Sequence, residues 1–195
     1  MKYIGWILLA VAVIAGIWVL SGYNGIVTKD QAVAQKWSEV QSQYQRRSDL
    51  IPNLVETVKG AAEFEQDTFT AVTEARVKAQ ASSMTTDPAN LTPENIAKYQ
   101  AAQGELGSAL SRLLVVVENY PELNATENFR DFQAQLEGTE NRIAVARREF
   151  TLSVQEFNSH IKRFPGNIIA SLFGFSDKGY FEAEEGAEVA PVVDF

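Results

Sequence analysis

The chain has 195 residues, a formal net charge of -8, no cysteine and one histidine, His160. The acidic balance argues against nucleic acid as a partner and against broad adhesion to an anionic membrane surface, because both need clustered Lys and Arg. Without cysteine the chain has no disulfide, thiolate nucleophile or thiolate metal site, and one histidine cannot complete a zinc site of His and Cys ligands. The length suits one domain with a membrane anchor.

The first predicted element is an uncharged apolar stretch at residues 3–20. A helix of this length, at about 1.5 Å per residue, just spans a hydrocarbon core of about 30 Å. Trp6, Trp18 and Tyr23 lie near its ends, where aromatic rings favour the membrane interface. We therefore predict an uncleaved transmembrane anchor over residues 1–22. A cleaved signal peptide is the alternative, but the apolar stretch is long for one and is followed by a poor cleavage site.

The charges that flank this anchor decide its orientation only weakly. Lys2 stands before it, and Lys29 and Lys36 stand after it, so the positive-inside rule gives near parity. The short N-terminal segment with Lys2 favours a single-pass membrane protein whose N-terminus is inside the cell and whose larger part lies outside the cytoplasm.

Residues 23–165 repeat their apolar side chains at steps of three and four, which predicts long amphipathic helices. Four such helices with short connections, and no alternating strand, predict an all-α fold built as an antiparallel four-helix bundle. We expect helices at about 24–49, 52–81, 93–120 and 129–164. The side chains expected to point inward are Val33, Trp37, Val40, Tyr44, Leu54, Val55, Val58, Ala62, Phe69, Val72, Ile96, Tyr99, Leu106, Leu110, Leu113, Val117, Phe129, Phe132, Leu136, Ile143, Phe150, Val154, Phe157, Ile161 and Phe164.

The segment 46–58 is interpreted as the bend around which the bundle turns. Proline lacks an N–H and clashes with the preceding turn, so Pro52 is expected to break or sharply kink the helix and to begin a new one. Ser48 or Asp49 would cap that new helix. The sequence leaves open whether two separate helices or one kinked helix result.

Helix lengths predict a contact between two charged residues near this bend. Arg47 lies about 35 Å from the membrane end of the first helix, and the same rise counted back from the end of the fourth helix reaches Glu140. A carboxylate in the apolar seam needs a partner, so we predict that Arg47 or Arg46 pairs with Glu140, with Asp49 in the same polar group. The group is interpreted as a structural pair that sets the helix register. The alternative is a site that senses or binds something inside the bundle.

Residues 166–195 form a C-terminal segment of different composition, which is expected to pack on the bundle or at the membrane interface. The stretch 168–175 is short and apolar, whereas residues 180–195 are acidic but keep several aromatic and valine side chains. Because the fourth helix returns to the bilayer, residues 168–175 could lie in the interface, or they could cap the open end of the bundle; both can hold for different faces. The residues expected at the interface here are Lys162, Arg163, Phe173 and Phe175.

The candidate chemical sites are weak. Glu63 and Asp67 would share a helix face near Glu65 and could hold Ca²⁺, but solvated surface acids are the simpler interpretation. A di-iron bundle needs Glu-x-x-His pairs, whereas Glu156 and His160 are four apart and have no second pair. We therefore expect no catalytic, metal or cofactor site, no small-molecule substrate and no enzyme activity.

A series of motifs extends over nearly the whole chain: Trp37-Ser38, residues 43–60, Ala75-Arg76, residues 113–123, Asn128-Phe129, residues 140–147, Asn158, Phe164-Pro165, Phe173-Gly174-Phe175 and Tyr180-Phe181-Glu182. Together these motifs resemble the LemA family of bacterial membrane proteins. The resemblance implies a single-pass protein of the bacterial cell membrane with a four-helix bundle and no assigned reaction; one similar branch belongs to magnetosome membrane formation. Ala61 and Phe64 depart from the family pattern, where tyrosine and histidine are common, so a role that needs that histidine does not transfer.

The expected function is a non-enzymatic scaffold tethered to the membrane, which binds protein partners or associates with itself at the bilayer. An exposed apolar stripe on the packed bundle would favour this function. A membrane-shaping or lipid-binding role of residues 168–175 is the alternative, and a signalling or sensing role is weaker still. A hydrolase or metal enzyme would need a pocket with convergent acids, which the sequence does not indicate.

Overall fold

A computed structural model describes residues 2–59 and 66–182, without the side chains of Lys2, Lys59 and Asn124. The described part of the chain has helices and no strand, which confirms the all-α prediction. Its helices are α1 (Lys2–Lys59), α2 (Gln66–Thr85), α3 (Pro93–Val117), α4 (Pro121–Asn124), α5 (Glu127–Lys162) and α6 (Gly166–Phe173).

Helix α1 continues from the apolar N-terminal stretch through Pro52 to Lys59. The prediction that Pro52 begins a new helix capped by Ser48 or Asp49 is therefore wrong. Proline has no N–H to donate to the Ser48 carbonyl one turn earlier, but Arg76 Nε of α2 donates to that oxygen at 3.0 Å. This bond replaces the missing helix hydrogen bond. The next helix begins at Gln66, and residues 60–65 lie outside the described residues.

The apolar part of α1 is long enough to cross a membrane by length and composition. Its most apolar window of 18 residues has a mean hydropathy of 2.4, and none of that window is buried within the protein. The same helix then enters the bundle, where Ile26 is its first fully buried side chain. One continuous helix therefore connects the candidate membrane span to the folded domain.

The long helices pack as two antiparallel pairs. α1 packs mainly on α5, and α2 packs mainly on α3. Ion pairs between α1 and α5 fix their direction, because Lys29 meets Glu156 at 3.4 Å while Lys36, further along α1, meets Glu149 at 2.7 Å. The residue numbers of the glutamates on α5 fall as those of the lysines on α1 rise, so the two helices run in opposite directions.

The core consists of two apolar clusters separated by a polar layer. The cluster nearer the apolar end of α1 centres on Trp37, Tyr99 and Phe150, and the distal cluster centres on Leu54, Leu113 and Phe129. Four buried polar residues lie between them: Arg47, Ser48, Gln103 and Thr139.

Most of the predicted inward side chains are buried. Phe164 is an exception at 77 % exposure, because α5 ends at Lys162 and Phe164 follows the helix. Val55 and Phe69 are only half-buried, and Ala62 lies outside the described residues. The predicted start of the third bundle helix is confirmed, since the Thr92 side chain accepts a hydrogen bond from the Asn95 N–H and Pro93 is the first helical residue.

Candidate functional site

A buried polar layer crosses the bundle between the two apolar clusters and joins its four long helices. Arg47 lies at its centre. Its Nη1 donates to Glu140 Oε1 of α5 at 3.1 Å, and its Nη2 donates to the carbonyl and side-chain oxygens of Gln103 of α3 at 3.0 and 2.8 Å. The adjacent Ser48 accepts from Arg76 of α2 through both its carbonyl and its hydroxyl oxygen. A buried cation is tolerated in a core when it is paired and hydrogen-bonded in this way.

The structure brings Arg47 and Glu140 together, as the helix lengths predict. The expectation that the carboxylate lies in an apolar seam is wrong, because the Glu140 side chain is 46 % exposed whereas that of Arg47 is 5 % exposed. The arginine is therefore the group that needs a partner. The other two residues predicted for this group lie outside it: Arg46 is exposed, and Asp49 accepts a hydrogen bond from Gln45 at 2.7 Å.

An open groove lies beside this layer. In the described part of the chain the backbones of α3 and α5 lie further apart than those of the two packed pairs, although their side chains share the distal cluster, and a space of about 1430 Å³ lies beside them. Tyr44 and Arg47 of α1 lie at its floor, and residues 100–114 of α3 and 133–147 of α5 form its walls. We call this space the α3/α5 groove.

The α3/α5 groove has small side chains on one wall and a net positive rim. A Cβ atom on Gly104 would meet nothing within 4 Å, so the wall has room for another chain to approach closely. Within the lining, the charges of Arg47 and Glu140 neutralise each other. The other charged lining residues are Arg112, Arg147 and one glutamate, so the rim carries a net positive charge. This is the opposite of the chain as a whole, whose formal net charge is -8. The small residues of the wall are Ala101, Gly104, Gly107, Ser108 and Ser111, and the remaining glutamate is Glu137.

Residues 174–182, which we call the C-terminal strap, lie between the same two helices on the side of the groove nearer the apolar part of α1. Asn158 of α5 binds the strap backbone, since its Nδ2 donates to the Lys178 carbonyl and its Oδ1 accepts from the Lys178 N–H, both at 2.9 Å. The Gly179 N–H donates to the Leu91 carbonyl at 2.8 Å. The strap is therefore bound both by α5 and by a residue that lies just before α3.

The last described residue of the strap lies at the near end of the α3/α5 groove. Gln100 Nε2 and Arg147 Nη2 donate to the Glu182 carbonyl at 2.9 and 3.2 Å, and the Glu182 N–H donates to Gln100 Oε1 at 2.9 Å. The preceding Phe181 packs against Trp37, with the ring centroids 6.1 Å apart. Residues 183–195, the rest of the predicted tail, lie outside the described residues.

Helix α6 covers the end of the bundle that faces the apolar part of α1. Its inner face packs on α1 and α5 through Ile169 and Ala170, which are buried. Its outer face and Phe164, which lies just before it, leave a group of large apolar side chains exposed. These residues, which we call the end patch, are Phe164, Ile168, Leu172 and Phe173.

Three of the aromatic residues predicted for the membrane interface meet at this end. The Tyr23 ring lies 4.7 Å from that of Phe173 and 5.8 Å from that of Phe175, measured between centroids. Phe175 is half-buried against the core, whereas Phe173 remains exposed. Trp6 and Trp18 are exposed on the apolar part of α1.

The two basic residues predicted for the interface differ in their surroundings. Lys162 forms an ion pair with Asp177 at 2.7 Å, and this hydrogen bond raises the pKa of the lysine above its ordinary value. Arg163 follows the helix end and is exposed. Both lie close in sequence to Phe164 of the end patch.

Within residues 2–59 and 66–182, no three His, Asp or Glu side chains come together in a way that could hold a metal ion. Of the acidic group considered above, Asp67 is exposed at the start of α2, and Glu63 and Glu65 lie outside the described residues. Glu156 forms an exposed ion pair with Lys29 rather than a site with His160.

Sequence reasoning missed Arg76, Gln103 and the groove. Pro52 was a usable signal for the first of these, because a proline inside a helix leaves the carbonyl four residues earlier without its donor. No pattern along the chain indicates that the donor comes from Arg76, or that α3 and α5 stand apart.

Comparison with known proteins identifies the family. A sequence model of the LemA family matches residues 36–195. The chain is 28 % identical over 191 residues to Magnetosome protein MamQ 2 of Paramagnetospirillum magneticum and to Magnetosome protein MamQ of Magnetospirillum gryphiswaldense, covering 90 % of this chain and 70 % of each relative. It is 23 % identical over 168 residues to Protein LemA of Metamycoplasma hominis, covering 86 % of this chain and 72 % of the relative. The apolar helix and these relatives indicate a membrane-associated protein, and the chain belongs to the LemA family.

Proposed function

We propose that this protein is a single-pass, non-enzymatic scaffold that binds a segment of a partner protein in the α3/α5 groove. The observation that carries the proposal is the open space of about 1430 Å³ between two helices of one bundle. Protein interiors are close-packed, so a groove of this size with small side chains on one wall and apolar lining residues such as Leu114 and Leu136 suits occupation by another chain.

The C-terminal strap supports this mode of binding. It lies between α3 and α5 as a peptide segment whose backbone is bound by the side chains of Asn158 and Gln100. A partner segment could follow the same path along the groove, with the positive rim favouring acidic residues. The continuous helix α1 would hold this surface at a fixed height, because Arg47 is 27 residues beyond Leu20, or about 40 Å at 1.5 Å per residue.

The groove can be filled without damage to the fold. Gly104 and Gly138 are both helical and both have open space where a Cβ would stand, but Gly104 lines the groove and Gly138 faces away from it on α5. Gly104→Leu should therefore block the groove, and Gly138→Leu is its matched control. Both changes should keep or raise the unfolding free energy, since Gly is unfavourable inside a helix by about 1 kcal/mol.

The test is the apparent mass of the complex formed by the full chain after mild detergent extraction from its own membrane, read on a native gel. We expect wild type and Gly138→Leu to run together in a complex heavier than the single chain, and Gly104→Leu to run lower. Equal masses for all three proteins would reject the groove as the partner site.

The end patch supports a second function, contact with lipid. Four large apolar side chains are exposed together at the end of the bundle that faces the apolar helix, and Leu172 is 69 % exposed. Because the candidate membrane span continues from this end, these side chains would lie at the bilayer surface, where an apolar helix face enters the boundary between headgroups and acyl chains.

A depth measurement tests this second function. The chain has no cysteine, so a single Leu172→Cys carries a fluorophore in the full protein reconstituted into liposomes with spin-labelled lipids. Leu152→Cys is the matched control, because Leu152 is an exposed leucine on α5 away from the end patch. We expect strong quenching of the Leu172 probe by lipids labelled near the headgroup, and little at Leu152. Equal quenching at both positions would reject lipid contact.

A further inference from the structure

The direction of the C-terminal strap leads into the α3/α5 groove. Lys178 lies beside Asn158, and Glu182 lies beside Arg147, so the strap runs along α5 towards lower residue numbers. The groove continues in that direction to residue 133 of α5 and residue 114 of α3. The chain therefore passes Glu182 at the near end of an open groove that extends ahead of it.

The length of the following segment is sufficient to occupy this groove. From Gln100 to Leu114 the groove wall extends over 14 residues of α3, about 21 Å at 1.5 Å per residue. Residues 183–195 are 13 residues, which reach up to about 43 Å when extended at 3.3 Å each.

The charges of the segment and the groove are complementary. Residues 183–195 contain no Lys or Arg, and their acidic residues are Glu184, Glu185, Glu188 and Asp194. The groove rim has Arg112 and Arg147 against one further glutamate, Glu137, besides the Arg47–Glu140 pair. The segment also contains Val189, Val192, Val193 and Phe195, which suit the apolar residues of the groove lining, such as Leu114 and Leu136.

We propose that residues 183–195 of the same chain bind in the α3/α5 groove, so that a partner must displace them. This inference rests on the proposed function of the groove and adds regulation to it: the protein's own acidic segment competes with the partner for one surface. Attraction between the acidic segment and the positive rim favours the bound segment over an open groove. This attraction weakens as salt screens the charges.

Disulfide formation in the full chain tests the proposal, because the natural sequence has no cysteine. Ala187→Cys is combined with Ser108→Cys in the groove wall, or with Val145→Cys as a control. Val145 is exposed and lies two residues from Arg147, but it belongs to the outer face of α5. The control therefore lies near the end of the strap and outside the groove.

We expect mild oxidation to join Ala187→Cys to Ser108→Cys within one chain, with a yield several times that of the Val145 pair. A disulfide needs Cα atoms about 4.4 to 6.8 Å apart, so the yield reports close approach. Adding Gly104→Leu should lower the Ser108 yield several-fold, and Gly138→Leu should leave it unchanged. Replacing Glu184 and Glu185 with lysine should also lower it.

Equal yields at Ser108 and Val145, or a yield indifferent to Gly104→Leu, would overturn the proposal. A Ser108 disulfide found only between two chains would also overturn it, since the occupant would then be a second copy. If these crosslinks fail while Gly104→Leu still reduces the mass of the membrane complex, the groove binds a partner but residues 183–195 do not compete for it. If the crosslinks form but complex mass is indifferent to Gly104→Leu, the proposed function fails instead.

Discussion

Arg76 of α2 donates its Nε–H to the carbonyl oxygen of Ser48 in α1, at a distance of 3.0 Å. That carbonyl is the acceptor that Pro52 leaves without a donor, because proline has no N–H. Pro52 therefore leaves a hydrogen-bond acceptor available within α1, and Arg76 of α2 donates to it. The Arg76 side chain thus joins α2 to the backbone of α1 at the level of the buried polar layer.

Removing Arg76 should cost more stability while Pro52 is present than when it is replaced. Arg76→Leu leaves the buried Ser48 carbonyl unsatisfied, which we expect to lower the free energy of unfolding by about 1–3 kcal/mol. Pro52→Ala supplies a backbone N–H for the same oxygen, so Arg76→Leu should cost less in that background. The measurement is a double-mutant cycle by denaturant unfolding of the full chain in detergent. A coupling energy near zero would contradict this role of Arg76.

Glu140→Gln should destabilise the bundle by about 1–2 kcal/mol, because Arg47 would lose its charged partner while keeping its bonds to Gln103. The half-exposed position of Glu140 keeps the expected loss below that of a fully buried ion pair. Glu137→Gln is the control, since Glu137 is an exposed residue one turn away, and its effect should stay within about 0.5 kcal/mol. Equal unfolding free energies for the two variants would show that the Arg47–Glu140 contact adds no stability.

Tyr99 should make the protein sensitive to alkali. Burial raises the pKa of its phenol well above the ordinary value, which is about 10. The folded state therefore holds the proton more tightly than the unfolded state, so stability is complete below about pH 10 and is lost as the pH rises above it. Tyr99→Phe should lose less unfolding free energy than wild type between about pH 9 and pH 12. Identical pH profiles would exclude Tyr99 as the cause.

Gly179→Ala should loosen the C-terminal strap. A Cβ at this position would stand 2.6 Å from Pro93 Cα, and backbone atoms cannot move aside as a flexible side chain can. The buried Lys178 should then become a faster site of trypsin cleavage in the full chain. Gly138→Ala is the control, because a Cβ there would meet nothing within 4 Å. Unchanged cleavage after Lys178 would mean that the strap tolerates the extra atom.

The parts of the fold that could be predicted are those that depend on local sequence. Apolar spacing predicted the buried faces of α3 and α5, and Thr92-Pro93 predicted the start of α3 through its own capping bond. Helix rise alone placed Arg47 near Glu140, since both distances are measured along straight helices from one end. Pro52 was misjudged because the donor that compensates for it comes from another helix.

The candidate site was harder to predict because it depends on what the helices leave uncovered. The small residues of α3 have the same spacing whether a neighbouring helix covers them or not, so Gly104 and Ser108 gave no indication of an open groove. Gln103 appears as an ordinary polar residue until Arg47 reaches it from α1. The strap likewise depends on Asn158 and Gln100, which are distant from it in sequence.

The most direct test of the α3/α5 groove as a partner site is photo-crosslinking from the groove in the native membrane. A benzophenone amino acid replaces Ser108 in the full chain, and a second protein has it at Val145 as the matched exposed position. We predict an adduct with a partner protein from Ser108 and not from Val145. The yield of the Ser108 adduct should fall several-fold with Gly104→Leu and stay unchanged with Gly138→Leu. The same adducts from both positions, or a Ser108 adduct indifferent to Gly104→Leu, would contradict the assignment of the α3/α5 groove as the partner site.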